Sequence, residues 1–537
     1  MRPDLSGVDP LDYNLATRFG VGDLLTRAAR LFGGRVAVAD VDGDHTYAQL
    51  DAAAEGVGRG LLQAGVGHQQ PVALLMGNSW RFAATFFGCA KAGLVALPVN
   101  LMLSPAEIAW ILADAGTGTV VADAALVGVL EQVLSEVPGL RRVVVAGAAG
   151  TVPAAVAGRQ VVTWDAVGAD RTPLRVAVDE RDIVHCLYTS GTTARPKGVL
   201  TSHLAVHVAA LSNALQVGHR YGAEASVLPI VLPLFHTTAL DTLLLPLLLT
   251  GGTAVLPGGF DPEGLLDVVE QRRATHLMLL PMMYAALLDS PSLAGRDLSS
   301  VRLCIYAMAP MPPERIARIA EVFPNAQVLL GSGQTECVPA TVFQWPAHQQ
   351  TKAASWGPPV ATVEAQILSP DGQVLSPGAT GEIAYRGPHA MSGYWNNPKA
   401  NTEAFAHGWF HSGDVGHVDD EGVVWFTDRL KDIVKTGGEN VSSVEVERVL
   451  LGSPDVADCA VVGVPDERWG EAVTAVVVLA DPAADRAAAA GRIVAHCRTQ
   501  LAGFQVPKQV RIVDALPKTA TGKVQKAELR AAVARQP

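Results

Sequence analysis

The sequence predicts an α/β protein. It has a large N-terminal part of several subdomains, with parallel-type βαβ sheets and a β-rich subdomain, followed by a small α+β C-terminal domain. Three observations predict this. Between about 180 and 336, β-branched runs alternate with helical periodicity; from about 360, short strands are separated by turn signals; after Arg429 the texture changes again. The boundaries that follow are residues 1–430 for the first domain and 431–537 for the second.

The first texture consists of IVHCLYT, GTAVLP, THLMLLP and VRLCIYA, each leading into a segment of 3.6-residue periodicity, the rhythm of parallel βαβ units. In FDPEGLLDVVEQRR, Asp261 is placed to cap the free amides of a helix, and Pro262 presets its first-turn φ. The preceding strand is expected to end at Pro257-Gly258-Gly259. The second texture carries PDG at 370–372, PGATG at 377–381 and DDEG at 419–422, which read as antiparallel hairpins. In the third, helical VSSVEVERVLL and the Ala-rich stretch 483–495 flank the strand-like runs CAVVGV and TAVVVLA.

Composition narrows the class. The 537 residues suffice for three or four packing units of roughly 150 residues each. With 49% hydrophobic and 17% charged residues, the chain is globular rather than disordered. A net charge of −11 disfavours nucleic acid but leaves room for small phosphorylated ligands held by local lysines and amides. Six scattered cysteines, without a CxxC pair or a His/Cys cluster, fit reduced thiols and a cytoplasmic protein. The opening MRPDLSGVDPLDY lacks the apolar run of a signal peptide. The apolar stretch Val227–Leu249 holds His236, Asp241 and three prolines, so a buried core explains it better than a membrane span.

The stretch YTSGTTARPKG, Tyr188 to Gly198, looks like a phosphate cradle that breaks the nucleotide-hydrolase rule. Pro196 stands where that rule needs glycine, and Gly198 where it needs a hydroxyl. It still follows a strand and offers the hydroxyls of Thr189, Ser190, Thr192 and Thr193, free amides near Gly191, and the ammonium of Lys197. Those are the donors an oligophosphate needs, although a solvated Ser/Thr-rich turn would read the same way.

Taken with five later motifs in order, the chain resembles the adenylate-forming superfamily of acyl-CoA synthetases, peptide-synthetase adenylation domains and luciferases. The motifs are GSGQTE at 331–336, GEIAYRGPHAMSGYWNNP at 381–398, WFHSGD at 409–414, DRLKDIVKTGGENVSSVEVE at 428–447 and PKTATGK at 517–523. The wording of TGGENVSSVEVE and FQVPKQV is similar to that of the acyl-CoA ligase branch. The resemblance covers essentially the whole chain. It implies an acid–thiol ligase that turns a carboxylate and ATP into an acyl-adenylate and pyrophosphate, then forms the CoA thioester, with Mg²⁺ as cofactor.

By this resemblance, Thr189, Ser190, Gly191, Thr192, Thr193 and Lys197 hold the β- and γ-phosphates. Thr335 contacts the α-phosphate and Glu336 ligates Mg²⁺. The nucleotide pocket is formed by Ala307, Met308, Ala309, Gly331, Ser332, Gly333 and Gln334. Asp414 accepts from both ribose hydroxyls, Arg429 supports the same sugar, and Lys523 meets charge developing on the bridging oxygens. Lys431 matches the hinge about which the C-terminal domain, acting as a lid, rotates to bring Gly437-Gly438 against the pantetheine arm. An ordinary turn at Gly437-Gly438 remains the simpler alternative. His236 stands beside the acyl carbonyl, and the acyl pocket is walled by His236, Tyr306, Ala307, Met308, Gly331 and Gln334, between the adenine strand and a helix expected after GSGQTE.

Three positions depart from the common pattern: Ala194 for a glycine, Ser332 for an aromatic that stacks on adenine, and Ala307-Met308-Ala309 for glycine-rich sequence. If position 194 required positive φ, alanine would cost about 1 to 2 kcal/mol. Met308 would narrow a channel that glycine leaves open, so a medium-chain or aryl acid is expected over a very long chain. Alternatives carried beside the CoA ligase are adenylation with another acceptor and a non-catalytic nucleotide-binding scaffold. The first includes diazotase chemistry on nitrite and an aryl amine, or transfer to a carrier protein or amine. The expected partners are a small-molecule carboxylate and CoA, with a homodimer left open as the assembly.

Overall fold

The structure, a computed structural model, describes residues 4–148, 150–189, 195–222, 224–307, 311–519 and 523–534. Among these residues the strands form five sheets. The nine-stranded sheet holds the parallel run Val95–Pro98, Pro71–Leu75, Thr119–Asp123, Arg142–Ala146 and Arg159–Thr163. Parallel architecture therefore begins well before residue 180, where the sequence reading located it. The helix that precedes this run, Tyr47–Gln63, is rich in Ala and Gly on its buried face, so its hydropathy contrast is weak. Those small residues allow the close packing of Tyr47–Gln63 on Trp80–Lys91: a Cβ at Gly58 would lie 2.6 Å from the carbonyl oxygen of Gly88.

A second sheet carries the GSGQTE motif. His276–Leu279, Leu303–Tyr306 and Gln327–Gln334 pair in parallel, as THLMLLP and VRLCIYA predict. Asp261 caps Pro262–Gln271 by accepting from Gly264 N at 2.7 Å, with Pro262 in the first turn. Two expectations are corrected here. IVHCLYT does not lead directly into a helix, because Ile183–Thr189 first pairs antiparallel with Lys197–Ser202. GSGQTE is not followed by a helix either. The Val- and Thr-bearing run Cys337–Phe343 is extended, buried along its whole length, and antiparallel to Gln327–Gln334.

The predicted hairpins form the antiparallel sheet Glu364–Leu368, Gly381–Arg386, Phe410–Val418, Val424–Arg429, with DDEG turning between its last two strands. Beyond it, Ser443–Leu451 and Arg486–Gln500 pack on a sheet centred on Val456–Asp466 and Gly470–Leu479, with its own core of Val446, Leu450, Val461, Val473 and Ile493. This separate core, beginning just after Arg429, agrees with the α+β terminal unit read from the sequence. Val227–Leu249 is folded into a short strand, a π-helical turn over Thr238–Leu244 and the helix Leu245–Leu249. Among the described residues, no helix is long and apolar enough to cross a membrane.

Candidate active site

A cleft of about 1610 Å³ is lined by residues from the sheet that holds His276–Leu279 and Gln327–Gln334, from the antiparallel sheet and from the C-terminal unit. The tight hairpin between Gln327–Gln334 and Cys337–Phe343 is registered Gln334 opposite Cys337, which makes Thr335 and Glu336 its two turn residues. The glycines before it are spatial requirements. A Cβ at Gly331 would lie 2.8 Å from the Phe343 ring, and one at Gly333 would lie 2.7 Å from Pro339 Cβ. The turn is thus drawn tightly onto its partner strand, and Glu336 is presented at the cleft.

Lys197 stands at the end of a second hairpin, opposite Thr189. Its ammonium lies 4.6 Å from the ring centre of Tyr394, and the Tyr394 hydroxyl donates to Glu336 Oε1 at 3.1 Å. Sequence reasoning quoted the motif containing Tyr394 but gave it no role. The signal was long-range: Tyr394 pairs with Val199, and its backbone is held by Asn401, whose Oδ1 accepts from Tyr394 N at 2.6 Å. Gly198, which stands where the hydrolase rule needs a hydroxyl, has a steric reason. A Cβ there would meet Tyr188 Cζ at 2.9 Å and Cys186 Sγ at 3.0 Å. Gly198→Ala is expected to displace Tyr188 from its 2.6 Å hydrogen bond to Asp114 and to destabilise the protein by about 1 to 3 kcal/mol, read as a lower midpoint in urea.

Across the cleft, Asp414 and Arg429 are cross-strand partners. Asp414 is buried, and its Oδ1 lies 3.3 Å from Arg429 Nε yet accepts no hydrogen bond among the described residues. Burial holds its carboxyl above the usual range, against the pull of Arg429 and Lys523. The turn after Arg429 brings Lys431 to the same region, and Arg530 of the last helix donates to the Lys431 carbonyl at 3.5 Å.

Lys523 enters from the C-terminal unit on a small hairpin whose residues Lys518 and Val524 pair, with Lys523 N donating to Thr519 Oγ1 at 3.2 Å. It lines the cleft, exposed at its surface but partly desolvated by its surroundings. That desolvation, with Arg429 and Lys431 nearby, pushes its ammonium down to about 8. His236 borders the cleft beneath it, its Nδ1 accepting from Thr238 N at 3.3 Å. Burial moves its imidazole down to about 4, with Lys523 adding to the effect against Asp241, so His236 is neutral at pH 7.

The structure therefore gathers Thr189, Lys197, His236, Tyr306, Ala307, Gly331 to Glu336, Asp414, Arg429, Lys431 and Lys523 around one space. Ser190, Gly191, Thr192 and Thr193 lie outside the described residues, as do Ala194, Met308 and Ala309. Gly437 and Gly438 are not among the residues lining the cleft. They form the two-residue turn between Val434–Thr436 and Glu439–Val441 with φ of 61° and 88°, and Gly437 N donates to the Trp469 carbonyl at 2.7 Å. Both positive angles favour glycine irrespective of any ligand.

An orphan buried carboxylate, a lysine and glutamate joined through a tyrosine, and a lysine brought in by a second domain define an adenylate-forming enzyme. The chain belongs to the AMP-binding enzyme family: residues 25–395 match the AMP-binding enzyme domain and residues 445–523 the AMP-binding enzyme C-terminal domain. It is 37% identical over 511 residues to a feruloyl-CoA synthase of Amycolatopsis, covering 95% of this chain and 98% of that one. An indoleacetate–CoA ligase of Aromatoleum aromaticum is 35% identical over 521 residues, covering 96% and 98%. The crystal structure of the anthranilate CoA ligase AuaEII in complex with anthranoyl-AMP superposes with a TM-score of 0.84 at 27% identity, covering 97% of this chain and 98% of that one.

Proposed function

We propose that the enzyme activates an aryl carboxylic acid with ATP and transfers the acyl group to CoA. The observation that carries the reading is the convergence of Lys197, Glu336, Asp414 and Lys523 on a cleft that has one apolar stretch of wall, with Leu228, Met278, Leu280 and Ile305 along it. The feruloyl and indoleacetate relatives make aryl acids the natural first substrates.

The carboxylate is ionised at neutral pH, so its attack on the α-phosphate needs alignment and charge neutralisation rather than a base. Lys197 sits where the phosphate hairpin closes, and its position over the Tyr394 ring holds it beside Glu336. Asp414, with an acceptor oxygen lacking a donor, is suited to ribose hydroxyls, and Arg429 holds its orientation. Lys523 brings positive charge to the oxygens where charge accumulates as pyrophosphate leaves. The neutral ring of His236 borders the acyl carbonyl without adding charge.

Mg²⁺ fits this donor set. Mg²⁺ commonly takes one or two protein carboxylates and completes its shell with substrate phosphates and water, so a single carboxylate suffices. Glu336 would hold it, Tyr394 fixing one of the two carboxylate oxygens. When bound, the ion neutralises charge on the phosphate oxygens. For the second half-reaction the C-terminal domain would turn at Lys431, withdrawing Lys523 and bringing the Gly437-Gly438 turn to the pantetheine arm. Residues 1–430 and 431–537 are the units that would move.

Because the ammonium is the active form of Lys523 and its free-enzyme value is about 8, kcat/KM for ATP in adenylation is expected to fall as pH rises through that value. A pH profile of pyrophosphate release checks it, and a rate that rises steadily to pH 10 would contradict the assignment. The substrate reading is tested by measuring pyrophosphate release with aryl acids, fatty acids, and nitrite plus an aryl amine, each with and without CoA. Turnover of aryl acids that yields a CoA thioester supports the reading. Preferential turnover of palmitate, or AMP release indifferent to CoA, defeats it.

A further inference from the structure

The inner end of the cleft is polar, although the wall leading to it is apolar. On the strand His276–Leu279 and the residue after it, His276, Met278 and Leu280 share one face by the two-residue period, and all three line the cleft. Four residues at roughly 3.3 Å each place His276 about 13 Å beyond Leu280 along this wall. His219, in the loop after the helix His203–Gln216, packs against it with ring centres 4.7 Å apart. Val217 and Leu228 complete the end.

The two imidazoles have different hydrogen-bond states. His276 Nε2 lies 3.0 Å from the Val217 carbonyl, which only accepts, so the proton is on Nε2; Nδ1 then accepts from the Thr275 hydroxyl at 2.7 Å. Both nitrogens of His276 are engaged. His219 Nδ1 lies 3.0 Å from Ser226 Oγ. Ser226 is buried, and its hydroxyl has no other acceptor among the described residues, so it donates to Nδ1 and leaves the His219 proton on Nε2. That nitrogen has no partner among the described residues, and the residue lines the cleft. Burial holds both rings well on the neutral side at pH 7, His276 down to about 4, with Arg302 reinforcing the effect.

We infer that His219 is a specificity-determining residue. Its Nε2–H donates to an oxygen at the distal end of the acyl group, so the substrate is an aryl acid bearing a hydroxyl or similar oxygen far from its carboxylate. The inference rests on the aryl-acid reading above and refines it. A hydrogen-bonding site discriminates strongly against an analogue that leaves its polar group unpaired, whereas an apolar pocket only weakly rejects an added hydroxyl. Ser226 fixes the tautomer, and His276 holds the ring from the side.

The test compares cinnamate, 4-hydroxycinnamate and octanoate in pyrophosphate release by the full-length wild type, H219L and H219Q. The wild type is expected to prefer 4-hydroxycinnamate over cinnamate by at least about tenfold in kcat/KM. H219L abolishes that preference, any turnover of cinnamate reporting that it folds; H219Q, which retains an N–H, keeps part of the preference. If H219L is inactive with every acid, the H219Q ratio decides. A wild-type ratio near one, or a preference unchanged in H219L or H219Q, overturns the role of His219 while leaving the aryl-acid reading intact. Turnover of octanoate with neither aryl acid overturns the aryl-acid reading itself, and the role of His219 with it.

Discussion

Replacing Lys523 with alanine is expected to slow adenylation by about 10²- to 10³-fold, the usual consequence of removing a group aimed at charge that develops in the transition state. Lys523 lies in the stretch that matches the AMP-binding enzyme C-terminal domain, on a hairpin held by the Lys518–Val524 pairing and by Thr519. Its ammonium is crowded by Arg429 and Lys431, so its removal relieves repulsion and should leave the melting temperature of the apoprotein unchanged or higher. ATP–pyrophosphate exchange measures the adenylation defect. Thioester formation from chemically prepared acyl-adenylate should be nearly unaffected, because the proposed turn of the C-terminal domain would withdraw Lys523. Unchanged exchange in Lys523→Ala would remove it from the mechanism.

The second large effect is expected at Asp414. Two charge-assisted hydrogen bonds to the ribose, at about 1.5 to 3 kcal/mol each, make a loss of at least about 10²-fold in kcat/KM for ATP the expectation for Asp414→Ala. Stability should move the other way. A carboxyl whose folded pKa lies above its unfolded value contributes stability that is present below the unfolded value and lost as pH rises through the folded one. At pH 7 ionised Asp414 is therefore a net cost to the apoprotein. Asp414→Asn should raise the apo melting temperature at pH 7, and this gain should vanish in acid. The shift produced by ATP should shrink in the variant. A variant that lost apo stability and kept its ATP response would show that the Asp414–Arg429 pair is structural.

How far the sequence revealed the site depended on whether its residues lie in contiguous motifs. Asp414, Arg429, Thr335, Glu336 and Lys523 each sit in such a stretch, and the structure brings all five to the same cleft. The Asp261 cap and the DDEG turn were equally legible, because local backbone chemistry dictates them. The strand after GSGQTE was not: its extended form is set by pairing with Gln327–Gln334 and by complete burial, which override local preference. Tyr394 and His219 were missed for a related reason. Tyr394 gains its role from pairing with the strand of Lys197, and His219 from packing on His276, contacts that no local spacing encodes.

The central claim is that one cleft performs adenylation of an aryl acid and then hands the acyl group to CoA. A single-turnover experiment tests it most directly: enzyme, ATP, Mg²⁺ and an aryl acid are mixed, quenched and analysed by mass spectrometry before and after CoA is added. The account predicts a stoichiometric aryl-adenylate that accumulates without CoA and is converted to the aryl-CoA thioester when CoA arrives. No adenylate with any aryl acid, or an adenylate that persists in the presence of CoA, would contradict it.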